Sequence, residues 1–600
     1  MDSNATLAPA STYTAQRDQL LQRMPHLAAL LPAAPPAPAA VRVVERRELR
    51  ALLMPAANTH AELVMVVGWG DGSVPLGLLG DALCRQKRIH VLLLPGEEAA
   101  FAATFVRPIM PLLEQSQLMV SIIDDESAIA GMLHTCYPRH RDIPPLAGCD
   151  FIDRHPLGGP AEAFRARNLE RLYTLLADRN TAYGNDIIDS FTGLLQSSQN
   201  ARLLLPAPTI GEMHARFGAT PVISVAAGPS VKRRLERLKE LQDRCIIVAC
   251  DAALHGLLDA GIDPHFVTPL ERLGNLAMFA RAGESRAIYA GLPVVHPDIV
   301  RRFPAERTIG VYAGDALYPW LVPDPGQRVN AGMSTGVLSV TVGSALSTGP
   351  VFLVGHDFGR DANGSHWEGA RFAGDAWKNA KQRHDSTKLG SSFYDDRLIP
   401  GNDGEPVRST AVWDNFRTDI AFEGQQLRAA GRTLVNVNAH DRIFARIDHT
   451  EAGPLPDPAS LPRLGRPTLP ERNQARFDQW SARAKRLPED GHAFRRHLAS
   501  LRADLGVALT GLPSHADAAT FAARLDLCAE VSVGNREAFS YFLRSALHNS
   551  TAEMHNRRRT ASSARSAYAT VETMDHLCQG LANAMDRLQG GLEEIARDCT

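Results

Sequence analysis

The chain has 600 residues, too many for one ordinary hydrophobic core, and a prior of roughly one domain per 150 residues points to several. Lys and Arg number 64 against 66 Asp and Glu, so the formal net charge of -2 provides no positive field to attract nucleic acid or an anionic membrane surface. The eight cysteines (84, 136, 149, 245, 250, 528, 578 and 599) have no paired spacing and several lie in apolar runs, which reads as reduced buried thiols rather than a disulfide framework or a zinc site. The opening residues lack a basic stretch followed by an apolar core, and no run approaches the roughly 20 apolar residues of a membrane helix. A cytoplasmic protein with no membrane span and no nucleic-acid partner is expected.

Residues 1–40 read as a short amphipathic helix closed by the linker LPAAPPAPAA. Residues 41–205 read as a small α/β domain with a helical connector. Strands are predicted in ELVMVVGWG, RIHVLLLPG and QLMVSIID, and a helical stretch over 160–205 carries QSSQN within it. After the first strand, VVGWGDGSVPLGLL sets Gly68, Gly70 and Gly72 ahead of a helix. Such a turn suits a nucleotide or an S-adenosyl-type ligand, or survives as bare scaffold, but its spacing is not the dinucleotide fingerprint.

Residues 206–455 alternate strand and helix more clearly. PVISVAA, CIIVAC, PHFVTPL, AIYAGLPVV, TIGVYA, PVFLVGHD and TLVNVNA read as strands of one doubly wound parallel sheet. After AGPLPDPASLPRLGRPTLP, strand signals cease, so 456–600 reads as an all-helical domain. The fold class expected is α/β, with a central Rossmann-like domain, a smaller N-terminal α/β domain and a C-terminal helical domain.

The candidate site follows from strand ends, because an open parallel sheet binds ligands at its carboxyl edge. Gly228, Pro229 and Ser230 join the first central strand to a helix whose N-terminus would offer free N–H groups to a phosphate, with Ser230 as N-cap. Asp251 ends the next strand, placed to accept a hydrogen bond from a nucleotide hydroxyl or amino group, or to cap the following helix. Glu271 and Arg272 end the third; they form an exposed ion pair, or the arginine meets a phosphate or carboxylate. Ser334, Thr335 and Gly336 start a helix at the same edge, and Gly355, His356 and Asp357 end the strand after it. The long polar loop that follows reads as a lid and holds His366 and His384, either of which could serve as general base. No Walker A motif, HExxH, CxxC pair or nucleophile elbow occurs, and the central domain has no obvious Asp-x-Asp metal pair.

Taken together, AAGPSV, CDAALHGLLDAGIDPHFVTPLER, NAGMSTGVLSVTVGSAL, VFLVGHDFG and GSHWEGA, in that order, resemble the motility-associated factor (Maf) family of bacterial flagellin glycosyltransferases. GWGDGS, NDIIDSFTGLLQSSQN and TLVNVNAHDRIFARID extend the resemblance over about residues 60–450. The central domain is also similar to CMP-sialic acid sialyltransferases, which implies a GT-A-like sialyltransferase-type fold. The resemblance implies inverting transfer of a nonulosonic acid of the pseudaminic or legionaminic type from its CMP form to Ser or Thr of flagellin. With CMP as donor, already a good leaving group, no further cofactor is expected and a divalent metal is not required in principle. Residue by residue, the resemblance sets Gly228, Pro229 and Ser230 beside the phosphate and Asp251 beside the nucleotide. Ser334, Thr335 and Gly336 would meet the CMP-sugar, with Asp357 at the base of the site. Glu271 and Arg272 would face sugar or acceptor, with His366 as base and His384 as fallback. Two departures stand out: AHDRIFARID replaces a glycine-rich element, and His356 stands where the family commonly has glutamine. Two other readings are a pterin-type diphosphokinase using ATP, whose central fold is similar, and a non-catalytic flagellin-binding factor.

Overall fold

A computed structural model describes the chain except residues 1–8, 37–40, 58, 60, 83, 85–86, 116, 138–145, 147, 182–186, 275, 315–316, 361–364, 371–395, 509–531, 533, 542, 544–551, 553–556, 558–562 and 600. It divides into two compact units. One comprises Met1–Gly184, Leu498–Leu525 and Arg544–Leu581; the other comprises Asn185–His497, Asp526–Leu543 and Ala582–Thr600.

The first unit is built on a parallel sheet of β1 (Leu63–Val67), β2 (Arg88–Leu93), β3 (Leu118–Ile122) and β4 (Asp150–Ile152), in the order β3-β2-β1-β4. The sequence LVMVV of β1 is buried along its whole length, as a strand covered on both faces must be. The three predicted strands are present. β4 was not foreseen, because DFI is too short to carry a periodic signal.

The turn after β1 has Gly68, Gly70 and Gly72 at φ of 100°, 62° and 80°, conformations that favour glycine. Its amides are already engaged. The Glu97 carboxylate, 2% exposed, accepts N–H bonds from Trp69, Gly70 and Leu94, each at 2.8 Å. An internal anion therefore sits over the turn where a ligand's anion would be cradled, which favours the scaffold alternative. Replacing Glu97 with alanine leaves these three N–H groups buried without an acceptor, and the expected loss is roughly 3 kcal/mol in a urea melt.

The second unit holds a seven-stranded parallel sheet in the order β13-β12-β9-β5-β6-β7-β8. Its members are β5 (Val222–Val225), β6 (Ile246–Cys250), β7 (Phe266–Thr268), β8 (Ile288–Tyr289), β9 (Val351–Val354), β12 (Leu434–Asn436) and β13 (Glu451–Ala452). Between β9 and β12 the antiparallel hairpin β10 (Asp396–Pro400) and β11 (Pro406–Thr410) stands apart from this sheet. TIGVYA, expected as a strand, makes only single bridges: Thr308 to Tyr289, Gly310 to Thr209 and Ala313 to Val329. It pairs with three different segments in turn, so no ladder forms. The hairpin leaves no periodic signal in the sequence, because each arm is short and bounded by proline.

The helix Thr335–Leu346 is almost wholly buried and packs against β5 and β6, its buried Ser339, Thr341 and Ser344 hydroxyls all hydrogen-bonded. Ser334 caps it, its hydroxyl accepting the Gly336 N–H at 3.1 Å. Beyond β13 the described elements are helical: a short 3-10 turn, then Gln474–Ala484, Leu487–Ala508 and Ser563–Asp598. No described helix is long and apolar enough to cross a membrane.

Candidate functional site

The chain leaves β5 for β6, β7 and β8 on one side, then returns to place β9 on the other side of β5. That reversal is a topological switch point at the carboxyl ends of β5 and β9, where an open α/β sheet places the crevice that takes its ligand. The predicted segments at Gly228–Ser230, Asp251, Ser334–Gly336, Gly355–Asp357 and His366 come together there.

Gly228 follows β5, and its N–H donates to the Gly355 carbonyl at 3.0 Å, joining the two strand ends. A Cβ at Gly228 would stand 2.4 Å from that carbonyl and 2.5 Å from Asp357 Oδ2, so only glycine fits. Gly228→Ala is expected to cost roughly 2 kcal/mol by overpacking, measurable as a lower urea midpoint.

Asp357 binds the crevice together. Its carboxylate accepts the Ser230 N–H at 2.7 Å, the Ser230 hydroxyl at 2.6 Å and the Asn438 amide at 3.1 Å. Asn438 also donates to Ser230 Oγ at 2.6 Å, so the ends of β5, β9 and β12 share one buried polar knot. Burial pushes the Asp357 carboxyl up to about 6, and the Ser230 donors hold it back from rising further.

Two expectations change here. Gly228, not Ser230, is the N-cap, of a 3-10 helix Pro229–Arg234 that precedes the helix Leu235–Leu241. The turn also offers no free N–H to a phosphate, because Gly228 and Ser230 spend theirs on Gly355 and Asp357 and Pro229 has none. Asn438, central to this knot, carries no motif of its own in the sequence. Its only signal was its place just after the strand TLVNVNA.

Asp251 opens the helix Asp251–Asp259 directly after β6, with Cys250 as the N-cap residue. Its Oδ1 accepts the Ala252 N–H at 2.7 Å, and it also takes a hydrogen bond from Thr335. Burial raises its carboxyl to about 7, the Ala252 and Thr335 donors oppose the rise, and the nearby Glu271 charge adds to it. Thr335 is held in turn by Thr268 at the end of β7, whose hydroxyl donates to the Thr335 carbonyl at 3.2 Å. Asp251, Glu271 and the Ser334–Gly336 helix start are therefore neighbours.

Glu271 is exposed yet raised by the protein around it, as in a recess. Arg272 is half-buried: it pairs with Asp189 at 3.2 Å and donates to the Tyr541 hydroxyl at 2.7 Å. The anticipated Glu271–Arg272 pair is thus replaced by an Arg272–Asp189 pair, which turns the guanidinium toward the helix Ile187–Leu204.

His366 lies at the crevice. The N–H of buried Trp367 donates to the Ala227 carbonyl at 2.9 Å, fixing this segment over the end of β5. Ser365 bonds His366 Nδ1 at 2.9 Å, and burial lowers the imidazole to about 4, so it is neutral at pH 7. His384 lies outside the described residues. His356 is buried and neutral, bonded through Nε2 to Ser224 Oγ at 2.9 Å, with Ser224 reaching Ser339 at 2.6 Å. The AHDRIFARID segment covers the Asp357 turn, where the Ala445 N–H donates to the Asp357 carbonyl at 3.0 Å. Among the described residues no cluster of His, Cys, Asp or Glu is arranged to hold a metal ion.

An α/β protein whose parallel sheet reverses at a switch point between β5 and β9 is the class that fold and geometry define. Residues 196–363 match the family model described as 6-hydroxymethylpterin diphosphokinase MptE-like. A solved structure described as MAf glycosyltransferase from Magnetospirillum magneticum AMB-1 is similar over 98% of both chains, with a TM-score of 0.50 and 16% sequence identity. The likeness is one of fold, and at 98% coverage it extends beyond residues 60–450, where the sequence resemblance lies, to the helical tail. No curated protein matches the sequence.

Proposed function

We propose that the protein is a glycosyltransferase that moves a nonulosonic acid of the pseudaminic or legionaminic type from its CMP-activated form to Ser or Thr of flagellin. The observation that carries this reading is the meeting of Gly228–Ser230, Asp251, Ser334–Gly336 and His366 at one switch point. The full-length likeness in fold to a glycosyltransferase supports it. Asp251 receives the hydroxyl or amino hydrogens of the nucleotide. The amino end of the helix Thr335–Leu346 faces the phosphate, since the N–H groups of the Gly228 turn are spent. Asp357 acts by positioning that turn.

In the proposed reaction the acceptor hydroxyl oxygen bonds to the anomeric carbon as the bond to the CMP phosphate oxygen breaks, with inversion. His366, neutral across the working range, takes the hydroxyl proton. CMP leaves with its electron pair and its charge is stabilised by the helix end, so neither a cofactor nor a divalent metal is required. Transfer by His366→Ala is expected to fall at least a hundredfold in kcat with the donor KM within about threefold. An unchanged kcat would remove His366 from the role of base. The pH profile should show the His366 step near 4, well below the ordinary imidazole range, and a second change near 7, where the Asp251 carboxyl titrates.

The match of residues 196–363 to a pterin diphosphokinase-like model keeps a second reading, diphosphate transfer from ATP to a hydroxymethylpterin. Nucleotide selectivity separates the two: CMP without ATP supports sugar transfer, and ATP without CMP supports the kinase.

A further inference from the structure

Most of the motif NDIIDSFTGLLQSSQN lies in the helix Ile187–Leu204, apart from the segments that meet at the switch point. Asp189, Gly193, Gln196 and Asn200 recur at steps of four, three and four residues, so they share one face of that helix. The face holds the loops beyond β7 and β8. Asp189 pairs with Arg272 at 3.2 Å, Gln196 Nε2 donates to the Arg272 carbonyl at 3.0 Å, and Asn200 Nδ2 donates to the Pro293 and Val295 carbonyls at 2.9 and 2.7 Å. The His296 N–H donates to the Glu271 carbonyl at 3.4 Å, so the two loops are also joined to each other.

Arg272 is gripped a second time, from the helical region. Its Nη2 donates to the hydroxyl of Tyr541, a residue 1% exposed in the helical stretch 536–541. That stretch is fixed where it begins: Asn535 accepts the Trp320 indole N–H at 2.9 Å and donates to the Asp490 carboxylate at 2.7 Å. Gly193 provides the room. A Cβ there would stand 2.7 Å from Arg272 Nε and 2.8 Å from the Tyr541 hydroxyl, so the helix accepts a residue that weakens it in order to admit the guanidinium.

The consequence falls on Glu271. Its neighbour's cation is turned to Asp189 and Tyr541, its own carboxylate forms no ion pair among the described residues, and its charge reaches Asp251. A carboxylate without a cation is an acceptor that a polyhydroxylated sugar can fill, and the sugar end of the donor adjoins the nucleotide that Asp251 takes.

We infer that Asp189, Arg272 and Tyr541 form a clamp of positioning residues that sets Glu271 to accept a hydrogen bond from a hydroxyl of the transferred sugar. The inference rests on the glycosyl-transfer reading. It gives the helical region a part in building the site, through Tyr541.

The test uses the full chain with Tyr541→Phe, which removes the hydroxyl, and Gly193→Ala, which sets a methyl against the guanidinium. Both should keep the wild-type thermal shift with CMP, because Asp251 and the helix start at Thr335 are untouched, while kcat for transfer to flagellin falls roughly tenfold or more. Glu271→Gln should cause a similar fall, and Tyr541→Phe added to it should lower kcat by no more than about twofold, since both act through one carboxylate. Wild-type kcat in both variants, or losses that multiply in the double variant, overturns the inference. Trypsin reads the clamp without any ligand. The bond from Arg272 to Leu273, a residue 70% exposed, should be cut roughly tenfold faster in Tyr541→Phe than in the wild type, and an unchanged rate overturns the clamp. A wild type with no CMP shift counts against the glycosyltransferase reading, and the trypsin comparison then decides the clamp alone.

Discussion

Asp251→Asn is expected to abolish stabilisation by CMP while leaving the unliganded protein folded. A ligand at 100 times its Kd adds roughly 2.7 kcal/mol to a protein that binds it only when folded, and the variant should lose all of this. The unliganded comparison carries its own sign. The Asp251 carboxyl stands at about 7 in the folded chain against the ordinary 3.8, so between those values the folded state holds a proton that the unfolded state has released. The resulting stability is fully present below about pH 4 and lost as pH rises through about 7. Asparagine cannot titrate, so urea melts at pH 5 and pH 8 should differ less in the variant than in the wild type. A variant with the wild-type CMP shift would take Asp251 out of the nucleotide site, and an unchanged pH difference would mean that its carboxyl is not raised.

Asp357→Ala should be the more damaging substitution for the fold. It strands the Ser230 N–H, the Ser230 hydroxyl and the Asn438 amide where water does not replace the lost acceptor. The expected cost is roughly 4 kcal/mol from the urea midpoint. CMP affinity should fall with it, because the turn holding Gly228 loses its tie to β9. Ser230→Ala removes one hydroxyl and should cost about 1 kcal/mol. A stable Asp357→Ala protein would show that the knot at the ends of β5, β9 and β12 does not hold the crevice.

Placement was legible in the sequence wherever a buried apolar run ended in small or polar residues. PVISVAA before Gly228, CIIVAC before Asp251 and PVFLVGHD, which closes on Asp357, each set a strand end, and a parallel sheet brings its carboxyl ends to one edge. The direction of individual bonds was not legible. Ser230 looked like a cap with donors to spare, yet a carboxylate more than a hundred residues later takes both. Arg272 looked like the partner of its neighbour Glu271 and instead pairs with Asp189. Glu97 gave no local sign that it would fill the glycine turn after β1, since that depends on β2 lying beside β1. Such contacts join residues far apart in sequence, and periodicity records only which face of an element is apolar. Short elements such as β4 and the β10–β11 hairpin were lost for the related reason that a few residues hold too little pattern to count.

The most direct test of the central claim is the thermal stability of the purified protein with CMP, AMP and ATP at equal concentration. The switch-point crevice read as a CMP-sugar site should give a clear upward shift with CMP and none with ATP or AMP. A shift with ATP and none with CMP would contradict it and favour diphosphate transfer.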